Sequence, residues 1–524
     1  MFLIAWKPAH AGRPADSYDV IVYGGTPAGV TAAVAAAREG RTVLLVEPLP
    51  LVGGMMSGGL SFSDSNQMLR EALGGLFEEF HKRVEAHYGQ KGIALPYRVA
   101  EKDTKFWTYE PHVAELVFNT MLKEAGVTVV LNETLQRAAM FGKKLSTLRM
   151  RSGKRFAGKV FIDASYEGDL MAAAKVPFRV GREGRAEFGE SFAGAVYQKK
   201  AVGARSRGDN GRPLPLVSGT TVTPEGEGDH RIMTYSFRLC LSEDPANRVP
   251  FTRPADYDAG RYELFRRFYK VAPKTGVPFD MYPIPGNKLD GNNGIGGQLS
   301  LGLVGENWDY PNASYKQRQA IWARHRSYTE GLLYFLMTDT AVPENVRQRM
   351  RQMGYAKDEF AAYGHFPPVL YVREARRMEG AYFLTQADIL EHKEKPDAIA
   401  VASFPIDSHD CQRIATPGGG FINEGTIFPA KTRINGQGIP YQVPYRSIVP
   451  KAEACTNLLV PVCVSASHVA FSSIRVEPAW MVLGESAGIA AAVALENNVP
   501  VQEVDYSILA RRLKAKGQVL SIKK

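Results

Sequence analysis

Residues 18–29 read YDVIVYGGTPAG, followed by VTAAVAAAREG at 30–40 and RTVLLVE at 41–47. The run 18–23 is short and apolar, as a buried strand requires, and 41–47 repeats that character. Between them, 27–39 reads as a helix built from small residues. Strand, glycine turn, helix and strand make one βαβ unit, so the expected fold class is α/β with a Rossmann-like domain. The turn consists of Gly24, Gly25, Thr26, Pro27, Ala28 and Gly29. Gly24 permits a tight turn, and Gly29 lets the helix close on the strand. The helix start then offers N–H groups and a positive dipole end to a pyrophosphate. Thr26 stands where the usual fingerprint has its middle glycine, and its hydroxyl could donate a hydrogen bond to the phosphate. Glu47 ends the second strand, about 20 residues on, where a carboxylate accepts the ribose hydroxyls of an adenosine and repels a 2′-phosphate. The alternative is an ordinary glycine-rich turn. This unit alone points to a dinucleotide without separating FAD from NAD.

The loop that follows separates them better. It runs from Pro48 through Gly53, Gly54, Met55, Ser57 and Gly58, with four glycines in GGMMSGG at 53–59. Such a loop demands close backbone approach or positive φ, which suits a long cofactor passing over it; a flexible surface turn is the alternative. A third motif, DASYEGD at 163–169, follows a strand-like run and contains Ala164, Glu167 and Asp169. A fourth spans 465–488 and ends in a helix opened by Pro478 that carries Gly484 and Ala487.

With these segments on the page, the chain resembles the FAD-dependent oxidoreductase family of the glutathione reductase-2 structural group, related in fold to the fumarate reductase flavoproteins. The resemblance rests on GGTPAG at 24–29, GGMMSGG at 53–59, DASYEGDL at 163–170, YVREARRMEG at 371–380, PIDSHD at 405–410 and the run from SASH at 465 to SAG at 488, all in order. It implies non-covalent FAD, since no histidine occurs in 48–64, where some relatives attach it. It implies that the 53–59 loop runs beside pyrophosphate and flavin, that Asp169 helps to hold the pyrophosphate–ribityl region, and that the helix after Pro478 points its positive end at the flavin N1 edge. It also implies a discontinuous FAD domain. The expected division is a leader at 1–16, FAD domain at 17–185 with a β-meander, an inserted substrate or cap domain at 186–400, FAD domain again at 401–510, and a basic tail at 511–524.

The remaining elements are expected as helices at 71–88, 111–124, 315–337 and 478–496, with a meander from strands at 127–131, 145–151 and 159–163. From 181 to 293 the text is rich in Gly and Pro and irregular. The GNNGIGG at 291–297 has no strand expected before it, so a second dinucleotide domain is not expected.

Candidates for the chemistry come from three places. His468 sits shortly before the late helix and could exchange a proton with a substrate hydroxyl, or be a hydrogen-bonded core histidine. Arg475, closer to the helix start, is a candidate charge partner for the flavin. In PIDSHD, Asp407 beside His409 can fix an imidazole tautomer; an active-site wall, a structural turn and a metal site are the readings, and no second cluster completes a metal site. Arg373, Arg376 and Arg377 fall on one short segment expected to be helical, which would put Arg373 and Arg377 on one face as a carboxylate or phosphate clamp, or in ion pairs with Glu374 and Glu379. Trp107 and His112 are expected to pack and cap.

Composition narrows the classes. The chain has 524 residues, 64 Lys and Arg against 54 Asp and Glu, and a net charge of +10 spread over several stretches. No basic motif interleaved with aromatics marks a nucleic-acid binder, and no run of about 18 apolar residues marks a membrane span. Cys240, Cys411, Cys455 and Cys463 form no CxxC, against a flavin disulfide reductase. Residues 2–6 are apolar and Ala9-His10-Ala11 resembles a cleavage site, but the run is shorter than a signal core and no positive charge precedes it; a disordered leader is expected, a remnant export signal is the alternative, and a cytoplasmic location is favoured over export. The expected function is hydride transfer between a small polar substrate, sugar-like in its hydroxyls, and non-covalent FAD, with the electron acceptor open. The alternatives are an ene or fumarate-type reductase and a flavin-carrying binding protein.

Overall fold

The computed structural model describes residues 16–103, 105–294 and 298–522. The expected leader lies outside them except for Asp16, which begins the first strand. β1 (Asp16–Tyr23), α1 (Pro27–Arg38) and β2 (Val43–Val46) form the βαβ unit, with β1 and β2 parallel and Val20 opposite Val43. Thr26 caps α1, its hydroxyl oxygen accepting the Gly29 N–H at 3.2 Å, and Pro27 occupies the first turn, where its missing N–H costs nothing.

The helix expected at 71–88 is interrupted. A 3₁₀ turn at Arg70–Ala72 comes first, and α2 (Gly75–Gln90) begins after Gly74. The break is set by Gly75, which takes φ +57. α3 (Pro111–Glu124) has the expected bounds.

The meander differs from expectation in one strand. β3 (Thr128–Val130) is not part of it; it pairs parallel with β2 at the far edge of the sheet. The meander is β4 (Leu135–Phe141), β5 (Lys144–Met150) and β6 (Arg155–Asp163). β4 lacked an alternating apolar signal, because its pattern QRAAMF lies mostly towards solvent. The strand order is β3-β2-β1-β6-β5-β4. β6 runs parallel to β1 along its length; its first half pairs with β5 on the other side.

The segment from 181 to 293 is irregular at first, then contributes β7 (Leu239–Ser242), β8 (Arg248–Pro250), β9 (Phe279–Ile284) and β10 (Lys288–Asn293). A strand therefore does run into the glycine segment at 291–297. It is antiparallel to β9 and β7, so it is no βαβ turn, and residues 295–297 lie outside the description. α4 (Tyr315–Thr338) is opened by a Ser314–Gln317 capping box. β11 (Gly354–Ala356) completes the second sheet, in the order β9-β10-β7-β11-β8.

Late in the chain, β12 (Leu458–Leu459) returns to the first sheet and pairs parallel with β6 at Phe161 and Ile162, beyond the part that β5 covers. α5 (His468–Ile474) and α6 (Glu477–Asn497) follow. α6 lies on α1 through two glycines: a Cβ on Gly484 would stand 2.2 Å from the Ala28 carbonyl oxygen, and one on Gly488 would stand 2.3 Å from that of Ala32. α6 is the one described helix long and apolar enough to cross a membrane, and 94% of its apolar window is buried within the protein, as a helix apolar all round must be. α7 (Tyr506–Ala515) corrects the expected tail from 511: it is a helix with Leu509 and Leu513 buried, and Arg512 pairs with Glu39 and Glu496.

Candidate active site

The first sheet ends in a cradle. Gly24 donates its N–H to Val46 at 2.8 Å and takes φ +101; a Cβ there would lie 2.5 Å from the Ser165 nitrogen. The turn after β1 and the turn after β6 therefore touch, and only glycine fits between them. Thr26 joins the same contact, donating its hydroxyl to the Ala164 carbonyl at 2.8 Å. That hydrogen bond corrects the expectation for Thr26: its proton is committed to the protein, not held out for a phosphate. The second turn is itself fixed by Asp163, which accepts from Ser165 and from the Met171 N–H at 2.7 Å.

Glu47 directly follows β2, with its side chain buried. Its oxygens accept the Gly25 N–H at 2.5 Å and the Leu49 N–H at 2.6 Å. Burial pushes this carboxyl up to about 8 against the pull of those two donors.

Beside these residues lies a cavity of about 550 Å³. Gly24, Thr26, Glu47, Pro48 and Gly54 line one side, and Tyr166, Glu167 and Asp169 the next. Tyr310, Arg318, Trp322, Val369 and Leu370 line it as well. The volume falls in the range of cofactor pockets. Tyr166, which lines this cavity, hydrogen-bonds Glu477 Oε1 and packs on Trp480, and Glu477 Oε2, Trp480 Nε1 and Ser57 Oγ are buried without a hydrogen-bond partner. Donor and acceptor groups left bare in this way fit an extended ligand that meets both. The residues present thus fit FAD: a carboxylate for the ribose, a helix start for the pyrophosphate, and unspent polar atoms beyond.

Asp169 accepts from Arg318 at 2.7 Å and from Arg376 at 2.8 Å. Burial pushes its carboxyl up, but the two guanidiniums outweigh that and hold it below the usual range, while neighbouring Glu167, buried and beside Asp169, is pushed up.

A second, small cavity with about 20 Å³ of free space is lined by Asp64, Arg238, Tyr371, Arg373, His409 and Arg475, with Asp407, Asn293 and Val476 among its other walls. Adjacent residues of one stretch line the two cavities, Val369 and Leu370 the first and Tyr371 the second. Arg238 pairs with Asp290 at 2.5 Å. Arg475 reaches Asp407 only at 4.0 Å, besides donating to its carbonyl at 2.6 Å. Arg373 makes no ion pair among the described residues; it donates to the Thr234 carbonyl, Ser236 and Asn293 at 2.7–3.0 Å. His409 stands 3.8 Å from Asp407 through Nε2 and 3.2 Å from Asn293 through Nδ1. Burial, with the three arginines, drives the imidazole well below its ordinary value, so it is neutral. Burial raises Asp64 to about 6, and raises Asp407.

The other expected residues lie as follows. His468 is the first residue of α5 and lines neither cavity; its Nδ1 stands 2.9 Å from Glu374 and its Nε2 3.2 Å from Ser408. Arg373, Arg376 and Arg377 are not on a helix. The segment is extended, with Arg377 in a short strand, so the three side chains diverge: Arg373 to the small cavity, Arg376 to Asp169, Arg377 to Glu183 and Glu374. The expected Arg373–Arg377 clamp does not form. Gly484 and Ala28 face each other across the helix pair, Ala487 is buried on α6, and Gly53 and Gly58 face Phe118 and Val369. Met55 gives its N–H to Tyr166 at 2.9 Å. His112, expected to cap, pairs with Glu359 at 2.7 Å, and Trp107 stacks under Arg70. Sequence reasoning missed Arg238, Asp64, Arg318 and Trp322. Asp64 sits at the end of the 48–64 loop and Tyr371 opens YVRE, so both had a signal; Arg238 and Arg318 had none.

A family profile described as FAD dependent oxidoreductase matches residues 19–513. The 4-oxocyclohexanecarboxylate 2-dehydrogenase of Sinomonas cyclohexanicum is 41% identical over 63 residues, which are 12% of this chain and 11% of that enzyme, so only about a tenth of the relative is spanned. Among solved structures, the THI4 protein of Thermovibrio ammonificans aligns with a TM-score of 0.23 at 17% identity, over 32% of this chain and 66% of that one. The OxyS anhydrotetracycline hydroxylase of Streptomyces rimosus gives 0.23 at 12% identity, over 32% and 38%.

Proposed function

The chain belongs to the FAD dependent oxidoreductase family, and on that footing we propose that the residues of the large cavity would hold FAD and those of the small polar one would hold a small polar substrate that exchanges a hydride with it. FAD, when bound, supplies the two-electron acceptor or donor. The observation that carries the reading is the junction at 369–371, where one short stretch lines the cofactor-sized cavity and the cluster of ionisable groups alike.

The chain's own residues then divide the work. Glu47 and the start of α1 hold the adenosine diphosphate half. The 53–59 loop and Tyr166 hold the middle. Arg373 holds the Asn293 side-chain oxygen, so the Asn293 amide N–H points to His409 Nδ1 and the neutral ring carries its proton on Nε2, from which it donates a hydrogen bond to the substrate oxygen; Asp64, in the same cavity and raised to about 6, accepts the proton of the substrate hydroxyl. His468 stands one layer behind. Through Ser408 it fixes the loop that carries Asp407 and His409, which makes it a positioning residue.

A second reading, an ene or fumarate-type reductase, has one observation in its favour: of the three arginines at 373–377, Arg373 alone reaches the small cavity and could deliver a proton there. Anaerobic mixing of the holoenzyme with a panel of sugars, sugar alcohols and hydroxy acids separates the two. The hydride-acceptor reading expects loss of flavin absorbance with at least one compound. Silence across the panel, with reoxidation of the dithionite-reduced enzyme by an unsaturated acid, supports the second.

A further inference from the structure

We infer that the small cavity recognises a carboxylate, and therefore that the substrate proposed above is a small organic acid rather than a neutral sugar. This rests on that reading for the position of the substrate and on separate observations for its charge. Three guanidiniums, of Arg238, Arg373 and Arg475, are almost wholly buried around the cavity. Their counter-charge is poorly placed. Asp290 serves Arg238, Asp407 lies at the edge of ion-pair distance from Arg475, Asp64 lines the cavity without an ion pair, and no carboxylate pairs with Arg373 among the described residues. The Nε atoms of Arg373 and Arg475 are both buried without a hydrogen-bond partner. Burying a cation without its partner is among the costliest arrangements a fold can keep, and an anionic ligand that pairs with it is the direct remedy.

The guanidinium forks select among anions. A carboxylate is flat and matches such a fork, whereas a tetrahedral phosphate is bulkier in every direction. The free space of about 20 Å³ is room for about one water, so the walls give way for either anion. A neutral sugar hydroxyl would fit sterically and leave Arg373 without an ion pair. His409, on the same wall, then faces the carbon chain next to the carboxylate.

The test is a titration of the oxidised holoenzyme with malonate, read by perturbation of the flavin spectrum, beside malonamide and inorganic phosphate. Malonate should bind, malonamide should not, and phosphate should bind more weakly. Arg373→Met should weaken malonate roughly 10–100-fold, the loss expected for a charge-assisted pair. Arg373→Lys, which keeps the charge and loses the fork, should fall between. If Arg373→Met fails to fold, Arg475→Met carries the same expectation. Equal binding of malonamide, or a malonate affinity unchanged in folded Arg373→Met with FAD affinity lowered instead, overturns the inference, because the arginines would then serve the cofactor. Failure here is separable from failure of the hydride reading. Neutral sugars that bleach the flavin without competition from malonate would leave that reading standing and remove this one. Malonate binding in an enzyme that no compound reduces would do the reverse.

Discussion

The Tyr166 hydroxyl donates to Glu477 Oε1 at 2.5 Å and accepts the Met55 N–H at 2.9 Å. One phenol thus ties the 53–59 loop, the turn after β6 and the first turn of α6 together. All three groups are buried, so Tyr166→Phe leaves a backbone donor and a carboxyl without that partner. Each orphaned group costs about 1–3 kcal/mol. The variant should melt earlier and purify with less FAD, measured by thermal denaturation and by the flavin-to-protein ratio. An unchanged ratio would remove Tyr166 from the cofactor path.

Glu47 gives the cofactor's other end a pH signature. Burial holds its carboxyl at about 8 without a ligand, and ribose hydroxyls donate better to the ionised form. FAD affinity should therefore rise with pH up to about 8 and level off above it. Glu47→Gln should bind FAD more weakly, by roughly 1.5–3 kcal/mol, and lose that slope. Isothermal titration of apoprotein across this range checks both; a parallel slope in the variant would show that another group titrates.

Gly484 should matter for packing alone. A Cβ there meets the Ala28 carbonyl at 2.2 Å, backbone against backbone, so the helix pair must part. Gly484→Ala should lose about 1–3 kcal/mol of stability. Its rate of flavin reduction per bound FAD should stay that of the parent. A selective loss of rate at parental stability would give Gly484 the cofactor role that its position in the SAG-ending motif suggested.

Glu485, which lines neither cavity, should make stability fall as pH rises. Unfolded, its carboxyl ionises near 4.5; folded, burial holds it at about 7. Between those values the folded chain keeps a proton that the unfolded chain has lost. Stability contributed by the site therefore declines with pH, by at most about 1.4 kcal/mol per unit, and is flat above 7. Glu485→Gln should flatten that part of the denaturant-midpoint profile. A variant with the parental slope would place the titration elsewhere.

Most of the first sheet was legible in the sequence, because YDVIVYGGTPAG carries strand, turn and helix signals within a dozen residues. β3 went to the wrong neighbour because an apolar triplet such as Thr128–Val130 shows that a strand exists and says nothing of which edge it joins. The site was half legible. Glu47, Asp169 and His409 lie in motifs and do face the cavities, whereas Arg238 and Arg318 come from irregular or amphipathic text and reach the site only through the tertiary fold. The arginines at 373–377 misled through spacing: read as a helix they share a face, but the chain there is extended and sends them three ways.

His468 was the stronger histidine by sequence, sitting before the late helix. In the structure it is screened from the small cavity by the 407–410 loop, and His409 faces that cavity. The measurement that decides the account is therefore anaerobic stopped-flow reduction of the bound flavin, per FAD, in the parent, His409→Asn and His468→Asn, with whichever panel compound bleaches the parent. His409→Asn is expected to keep its FAD and slow about 10²–10³-fold, the worth of one hydrogen-bond donor to the reacting oxygen. His468→Asn is expected to lose stability and slow far less. Parental rate in His409→Asn, with the large loss in a stably folded His468→Asn, would contradict the account.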